Sequence, residues 1–170
     1  MENVLAEVES SDKVRGKILD FEEALSYVPG ATKGDRQDCP LKHSFADGIY
    51  VREIFIPADM LITGKIHKHA HPNFLMKGKV KVFTEGEGEQ ILEAPLSMIS
   101  KAGTKRVVYT ITDTVWITVH HNPKNEKDLL VIEDNVIAKS YDDYEKFRKL
   151  AGSKNVVLGF VKSIYNKLLK

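Results

Sequence analysis

Between residues 48 and 122 the chain is a succession of short runs rich in Val, Ile, Thr, Tyr and Trp, with no helical stretch between them. The runs are GIYVREIFIPA, DMLITGKIHKH, KVKVFTE, EQILEA, LSMIS, KRVVYTIT and TVWITVHH. Turn residues such as Pro57–Ala58–Asp59, Gly86–Glu87–Gly88, Ala102–Gly103 and Asp113 separate them. Short strands at roughly ten-residue spacing predict an antiparallel sandwich or barrel. In Lys79–Val80–Lys81–Val82 lysine and valine alternate, as in a strand with one wet face. A chain of 170 residues with 42% hydrophobic residues has enough apolar material for one core.

Two helical flanks surround this β region. Val14, Ile18, Phe21, Leu25 and Val28 recur at helical spacing, with Ser10–Ser11 as candidate caps and Pro29–Gly30 as the stop. Residues 29 to 47, rich in Gly, Pro, Asp and Lys, read as an extended loop. Beyond Pro123, Ser140 with Asp142 and Asp143 predicts a helix start, with Tyr144, Phe147 and Leu150 inward and Gly152 as its stop. The expected organisation is an N-terminal helix and arm over 1–47, a β domain over 48–123 and a C-terminal helical extension over 124–170. In the last segment Val157, Val161, Ile164 and Leu168 form one stripe, and Lys154, Lys162, Lys167 and Lys170 are accompanied by no acid. Such a stripe suits packing on its own body or a sister subunit, docking on another protein, or a membrane surface. The membrane is the least favoured, because the apolar face is ordinary for a packed helix.

Charge and cysteine narrow the function classes. Lys and Arg number 25 against 24 for Asp and Glu, which argues against a polybasic nucleic-acid binder. The single cysteine, Cys39, excludes an internal disulfide framework and has no neighbour that would activate it. The acidic start MENVLAEVES has no signal-peptide pattern, so a soluble intracellular protein is expected.

Histidine is the uneven residue type. Three of the six lie within Gly64–Lys65–Ile66–His67–Lys68–His69–Ala70–His71–Pro72–Asn73. In extended chain, side chains repeat every second residue, so His67, His69 and His71 would share a face. Three neutral imidazoles on a stiff strand suit one divalent transition ion: Fe, Mn, Ni, Co or Zn. The competing reading is a polar pocket in which the histidines bond to one another, to Asn73 and to backbone. His120 or His121, on the last run, is a further candidate ligand if its face is right.

With these residues in view, the middle of the chain resembles the cupins, which are double-stranded β-helix or jelly-roll barrels. Gly64, His67, His69 and Gly78 fit the first cupin motif, and His71 falls where the family usually carries Glu. The second motif is met by Lys101-Ala102-Gly103-Thr104-Lys105-Arg106: Gly103 matches, Lys101 replaces Pro, and Arg106 replaces the last metal-binding His. This resemblance spans about residues 48–122. A closer one, over about 38–139, is to small cupin-like proteins of tailed phages and prophages. It rests on DCPLKHSFADGIYVREIFIPADMLITGKIHKHAH, AGTKRVVY and DTVWITVHHNP, followed by a helix near IEDNVIA.

The resemblance implies a mainly β, cupin-type jelly-roll barrel with helical flanks. It places the protein in a bacterial host cytoplasm or a virion, as a homo-oligomer or beside other phage proteins. Arg106 cannot become a ligand and would repel a nearby divalent ion. It could pair with Glu53 or another carboxylate in a vestigial site, or, with Asn73, contact a carboxylate or phosphate. Two functions follow: a phage accessory or structural protein making contacts through its flanks, or a metal-dependent dioxygenase or isomerase acting on a small polar or anionic metabolite. The broken second motif and the long flanks favour the first.

Overall fold

The computed structural model describes residues 2–152 other than Lys33 and Gly86. The stripe of Val157, Val161, Ile164 and Leu168 lies outside the described residues. Helix α1 (Glu2–Ser26) precedes ten strands: β1 (Leu41–Ala46), β2 (Ile49–Ile56), β3 (Leu61–Thr63), β4 (Ile66–His67), β5 (His71–Lys77), β6 (Lys79–Thr84), β7 (Gly88–Glu93), β8 (Leu96–Ser100), β9 (Arg106–Thr110) and β10 (Thr114–His121). Helix α2 (Leu129–Val136), strand β11 (Ile137–Ala138) and a helix over residues 141–152, here α3, complete the described chain. No described helix is long and apolar enough to cross a membrane.

The strand pairs are nested. β6 pairs with β7, β5 with β8, β3 with β9 and β2 with β10, all antiparallel. That is one long hairpin rolled onto itself, the topology of a jelly roll. Cross-pairs β10·β5 and β6·β9 consolidate two sheets, ordered β1-β2-β10-β5-β8 and β3-β9-β6-β7. The mainly β, cupin-type jelly roll expected from the sequence is the fold observed. Its strands form two facing sheets and a small β11-β4 ribbon, not one hydrogen-bonded closed barrel.

Alternation along the strands divides the interior. Leu75, Val80, Val82 and Trp116 are buried together, with Ile54, Leu92, Leu96, Met98 and Val108 packed around them. Toward the other end the same inward faces carry His71 and Asn73 on β5, and Thr118 and His120 on β10. That end of the jelly roll is polar inside, and all three helices attach to it.

Helix α1 begins well before Ser10–Ser11 and includes both serines. Ile18 is buried and Val14, Phe21 and Leu25 are half-buried, whereas Val28 lies past the helix end and is exposed. Glu22 of α1 accepts from Lys105 Nζ at 2.6 Å and from Thr63 Oγ1 at 2.8 Å. Arg15 pairs with Glu85 at 2.8 Å and lies over the Tyr141 ring at 4.6 Å. Asp128 caps α2 by accepting from Leu130 N and Val131 N. At α3, Ser140 Oγ accepts from Asp143 N and Asp143 Oδ2 from Lys139 N, which fixes its start. Tyr144 is buried as expected, but Leu150 is 65% exposed and faces away from the body.

The stretch 29–47 is not loop throughout. LKHSFA forms β1, which adds an edge to β2 with Phe45 opposite Tyr50. Strand β5 also emerges from the segment between the predicted runs.

Gly103 shows why the second motif needs glycine. Its φ is +79°, and a Cβ there would sit 2.3 Å from the Tyr144 ring, so helix α3 packs directly on the turn backbone. Gly103→Ala should therefore lose about 2–4 kcal/mol of unfolding free energy in urea titrations. Gly48→Ala should lose only about 1 kcal/mol, because φ is positive there too but a Cβ meets nothing within 4 Å.

Candidate metal centre

The imidazoles of His67, His71 and His120 converge, each offering a nitrogen within 4.8 Å of the other two. His67 comes from β4, His71 opens β5 and His120 lies near the end of β10. The His67 and His71 ring centroids are 4.1 Å apart, His67 and His120 5.1 Å, and His71 and His120 4.8 Å. His71 and His120 are buried and His67 is half-buried. An ion held at about 2.1 Å by three nitrogens brings them roughly 3–3.5 Å apart, so the rings need a modest inward closure.

Several features prepare these nitrogens as ligands. His71 Nδ1–H reaches the carbonyl of His69 at 3.2 Å, which leaves the lone pair on Nε2. Thr118 Oγ1 holds one edge of His120 at 3.0 Å. Burial, followed by the neighbouring imidazoles, pushes His67 down to about 2 and His120 to about 4. Burial also lowers His71, and Arg106 adds to it. All three are therefore neutral near pH 7, which is the form that binds a metal. The donor set is all nitrogen and fits the borderline ions expected from the sequence.

His69 is not part of the cluster. The chain bends at Lys68 and His69, so the period of two is broken between β4 and β5. Lys68 N bonds to Val136 O at 2.8 Å and Lys68 Nζ to Asp134 O at 2.6 Å. His69 consequently leaves the inward face and meets the Phe147 ring edge-on at 5.2 Å. His120 occupies the third position, and His121 points out of the sheet.

Asn73 and Arg106 lie beside the cluster and are joined through Ser100. Asn73 is buried, and its amide donates to Ser100 Oγ at 2.6 Å and to His71 O at 3.2 Å, while accepting from Trp116 Nε1 at 3.0 Å. Its hydrogen bonds are thus satisfied within the protein. Arg106 donates from Nη1 to Ser100 Oγ and from Nε to Thr84 Oγ1 at 3.1 Å. Among the described residues no carboxylate lies within ion-pair distance of Arg106. Glu53 is not its partner, because Tyr50, Ile54 and Ile56 are the inward residues of β2 and Glu53 has the opposite parity.

That same parity turns Arg52 inward, a residue the sequence reading passed over. The signal was available: Arg52 is the one charge among the inward positions of β2. Its field reaches His67, His120 and Tyr50. Tyr50 is a second addition, with His43 Nδ1 at 2.7 Å from its hydroxyl and the His120 ring stacked at 5.9 Å.

No family model matches the chain, and no curated protein matches it. Among solved structures it is similar to an RmlC-like cupin family protein with a double-stranded β-helix fold from Methanocaldococcus jannaschii. That similarity has 12% identity, 55% of this chain, 90% of that chain and a TM-score of 0.43. It is also similar to KdgF from Halomonas sp., at 12% identity over 58% of this chain and 90% of that one, TM-score 0.46. Ectoine synthase from P. lautus is similar at 10% identity over 58% and 75%, TM-score 0.46. At such identities and scores these likenesses say nothing of activity.

The histidines give the metal-free fold a defined acid sensitivity. Unfolded, each titrates near 6.5; folded, His67 and His120 stay neutral far below that. The unfolded state therefore binds more protons, and stability falls as pH drops below about 6.5. The limiting slope is about 1.4 kcal/mol per pH unit for each group. In the presence of a chelator, urea unfolding should lose about 4 kcal/mol between pH 7 and pH 5, and His120→Asn should remove close to half of that loss.

Proposed function

We propose that this chain is an accessory or structural protein on a cupin-type jelly roll, in which His67, His71 and His120 hold one divalent transition ion. The observation that carries the metal reading is the convergence of three neutral imidazoles from β4, β5 and β10 at the polar end of the interior. When bound, the ion would supply a crosslink between those three strands.

The accessory role is supported by the flanks. Helices α1 and α3 are fastened to this same end by Arg15, Glu22, Tyr141 and Tyr144, in an arrangement suited to presenting surfaces to a sister subunit or another phage protein. The resemblance to tailed-phage proteins supports a virion or a bacterial host cytoplasm as the setting. A second reading, a metal-dependent enzyme on a small anionic metabolite, is favoured by one observation. Three protein ligands leave coordination positions open, and Arg106 stands beside two of those ligands.

Elemental analysis of gently purified protein should give close to one metal per chain. His67→Ala/His71→Ala/His120→Ala should abolish it, while His69→Ala should keep it. Chelation should lower the melting temperature of the wild type by several degrees; metal-free protein whose melting is indifferent to added Mn, Fe, Co, Ni or Zn would refute the site.

The flank contacts have their own test. Deleting residues 153–170, which carry Val157, Val161, Ile164 and Leu168, should leave a folded jelly roll with an altered oligomeric state in light scattering. An unchanged state would remove those residues from the interface.

A further inference from the structure

The polar end of the interior holds two guanidiniums beside its neutral histidines. Arg52 enters from β2, between inward Tyr50 and Ile54, in register with Thr118 of β10. Arg106 enters from the facing sheet, at the start of β9, and reaches Ser100 opposite His71. The two guanidiniums therefore approach the histidine cluster from opposite sheets. Both fields act on His67; that of Arg52 also reaches His120, and that of Arg106 also reaches His71.

Neither cation is neutralised inside the chamber. Among the described residues the carboxylate that Arg52 meets is Asp35, at 3.8 Å, and it is 70% exposed on a loop. Arg106 has two of its five N–H donors on hydroxyls and, among the described residues, none on a carboxylate. Glu87 influences Arg106 only at longer range. Ser100 Oγ already accepts from Asn73 and Arg106, so its own hydrogen remains to donate. A half-buried guanidinium with hydroxyl partners alone is an expensive arrangement for a purely structural group. Loading the histidines with a divalent ion would increase the positive charge further. The Arg52 side chain is 31% exposed.

We propose that Arg52 and Arg106 form a two-ended clamp for a small dicarboxylate, which lies across the chamber beside the His67, His71 and His120 cluster. Each planar guanidinium matches one carboxylate through paired N–H···O bonds, and a ligand with a carboxylate at each end satisfies both. A monocarboxylate, or a compact anion such as phosphate, engages one end. The clamp deepens the reading of this end of the fold as a binding site, yet its residues are distinct from the metal ligands. The two can therefore fail separately.

The test is calorimetry and thermal melting of the full chain with malonate, succinate and glutarate, against acetate and inorganic phosphate, with and without prior chelation. At least one dicarboxylate should bind ten-fold or more tightly than acetate and phosphate, and raise the melting temperature. Arg52→Gln and Arg106→Gln should each weaken that binding ten-fold or more while keeping the wild-type metal content. If no dicarboxylate binds, or binding survives both substitutions unchanged, the clamp is wrong, whatever the metal content. If dicarboxylate binds through both arginines to protein that takes up no metal, the clamp stands and the metal reading falls.

Discussion

The buried carboxamide of Asn73 is the joint on which both halves of this interior depend. It accepts from the Trp116 indole, whose ring belongs to the apolar core, and donates to Ser100 Oγ and to the backbone of His71. Ser100 in turn receives Arg106 from the other sheet, and Arg106 reaches Thr84 on β6. One short network thus runs through β10, β5, β8, β9 and β6, bonding the two sheets where apolar packing stops. Such networks are favourable only when every member is satisfied, because each unpaired group in a low-dielectric interior costs a full desolvation penalty. Among the described side chains no buried polar atom is left unpaired.

That boundary explains how one fold carries both a core and a polar chamber. On β10 the inward residues run Trp116, Thr118, His120, and on β5 they run Leu75, Asn73, His71. Reading from core to mouth, both strands change from apolar, through hydrogen-bonding, to imidazole. The helices then complete the polar end, through Glu22 on Lys105 and through Tyr144 on the bare backbone of Gly103. The histidines stay neutral because they are enclosed on the inward faces of the strands.

Much of this was legible in the chain. Period-two runs between residues 48 and 122 predict the strands, and two of the three motif glycines sit where the backbone requires them: Gly78 and Gly103 have positive φ and no room for a Cβ, whereas Gly64 has room for one. What strict alternation could not supply was the bend at Lys68 and His69, made by hydrogen bonds to α2, which takes His69 off the inward face. Conversely, the parity of β10 was readable from Trp116: a large aromatic taken as core fixes the even positions inward and selects His120 over His121. Arg52 and β1 were obscured for different reasons. A charged residue in a strand is ordinarily read as surface, and LKHSFA lies in a stretch whose Gly, Pro and Asp content suggests loop. Only pairing with β2 makes it a strand.

Arg106 is where these threads meet. A guanidinium cannot serve as a metal ligand, and the third position of the cluster is held by His120 of β10. An all-histidine set carries no negative charge, so unlike a site containing a carboxylate it does nothing to offset a bound cation. Arg106 and Arg52 accentuate that imbalance instead of correcting it. A chamber of neutral imidazoles flanked by two cations has an electrostatic preference that does not depend on which metal enters, or on whether one does. It disfavours cations in the absence of an anion and favours both together. Among the described residues the cluster itself holds no carboxylate, so nothing within it offsets the charge of a bound cation.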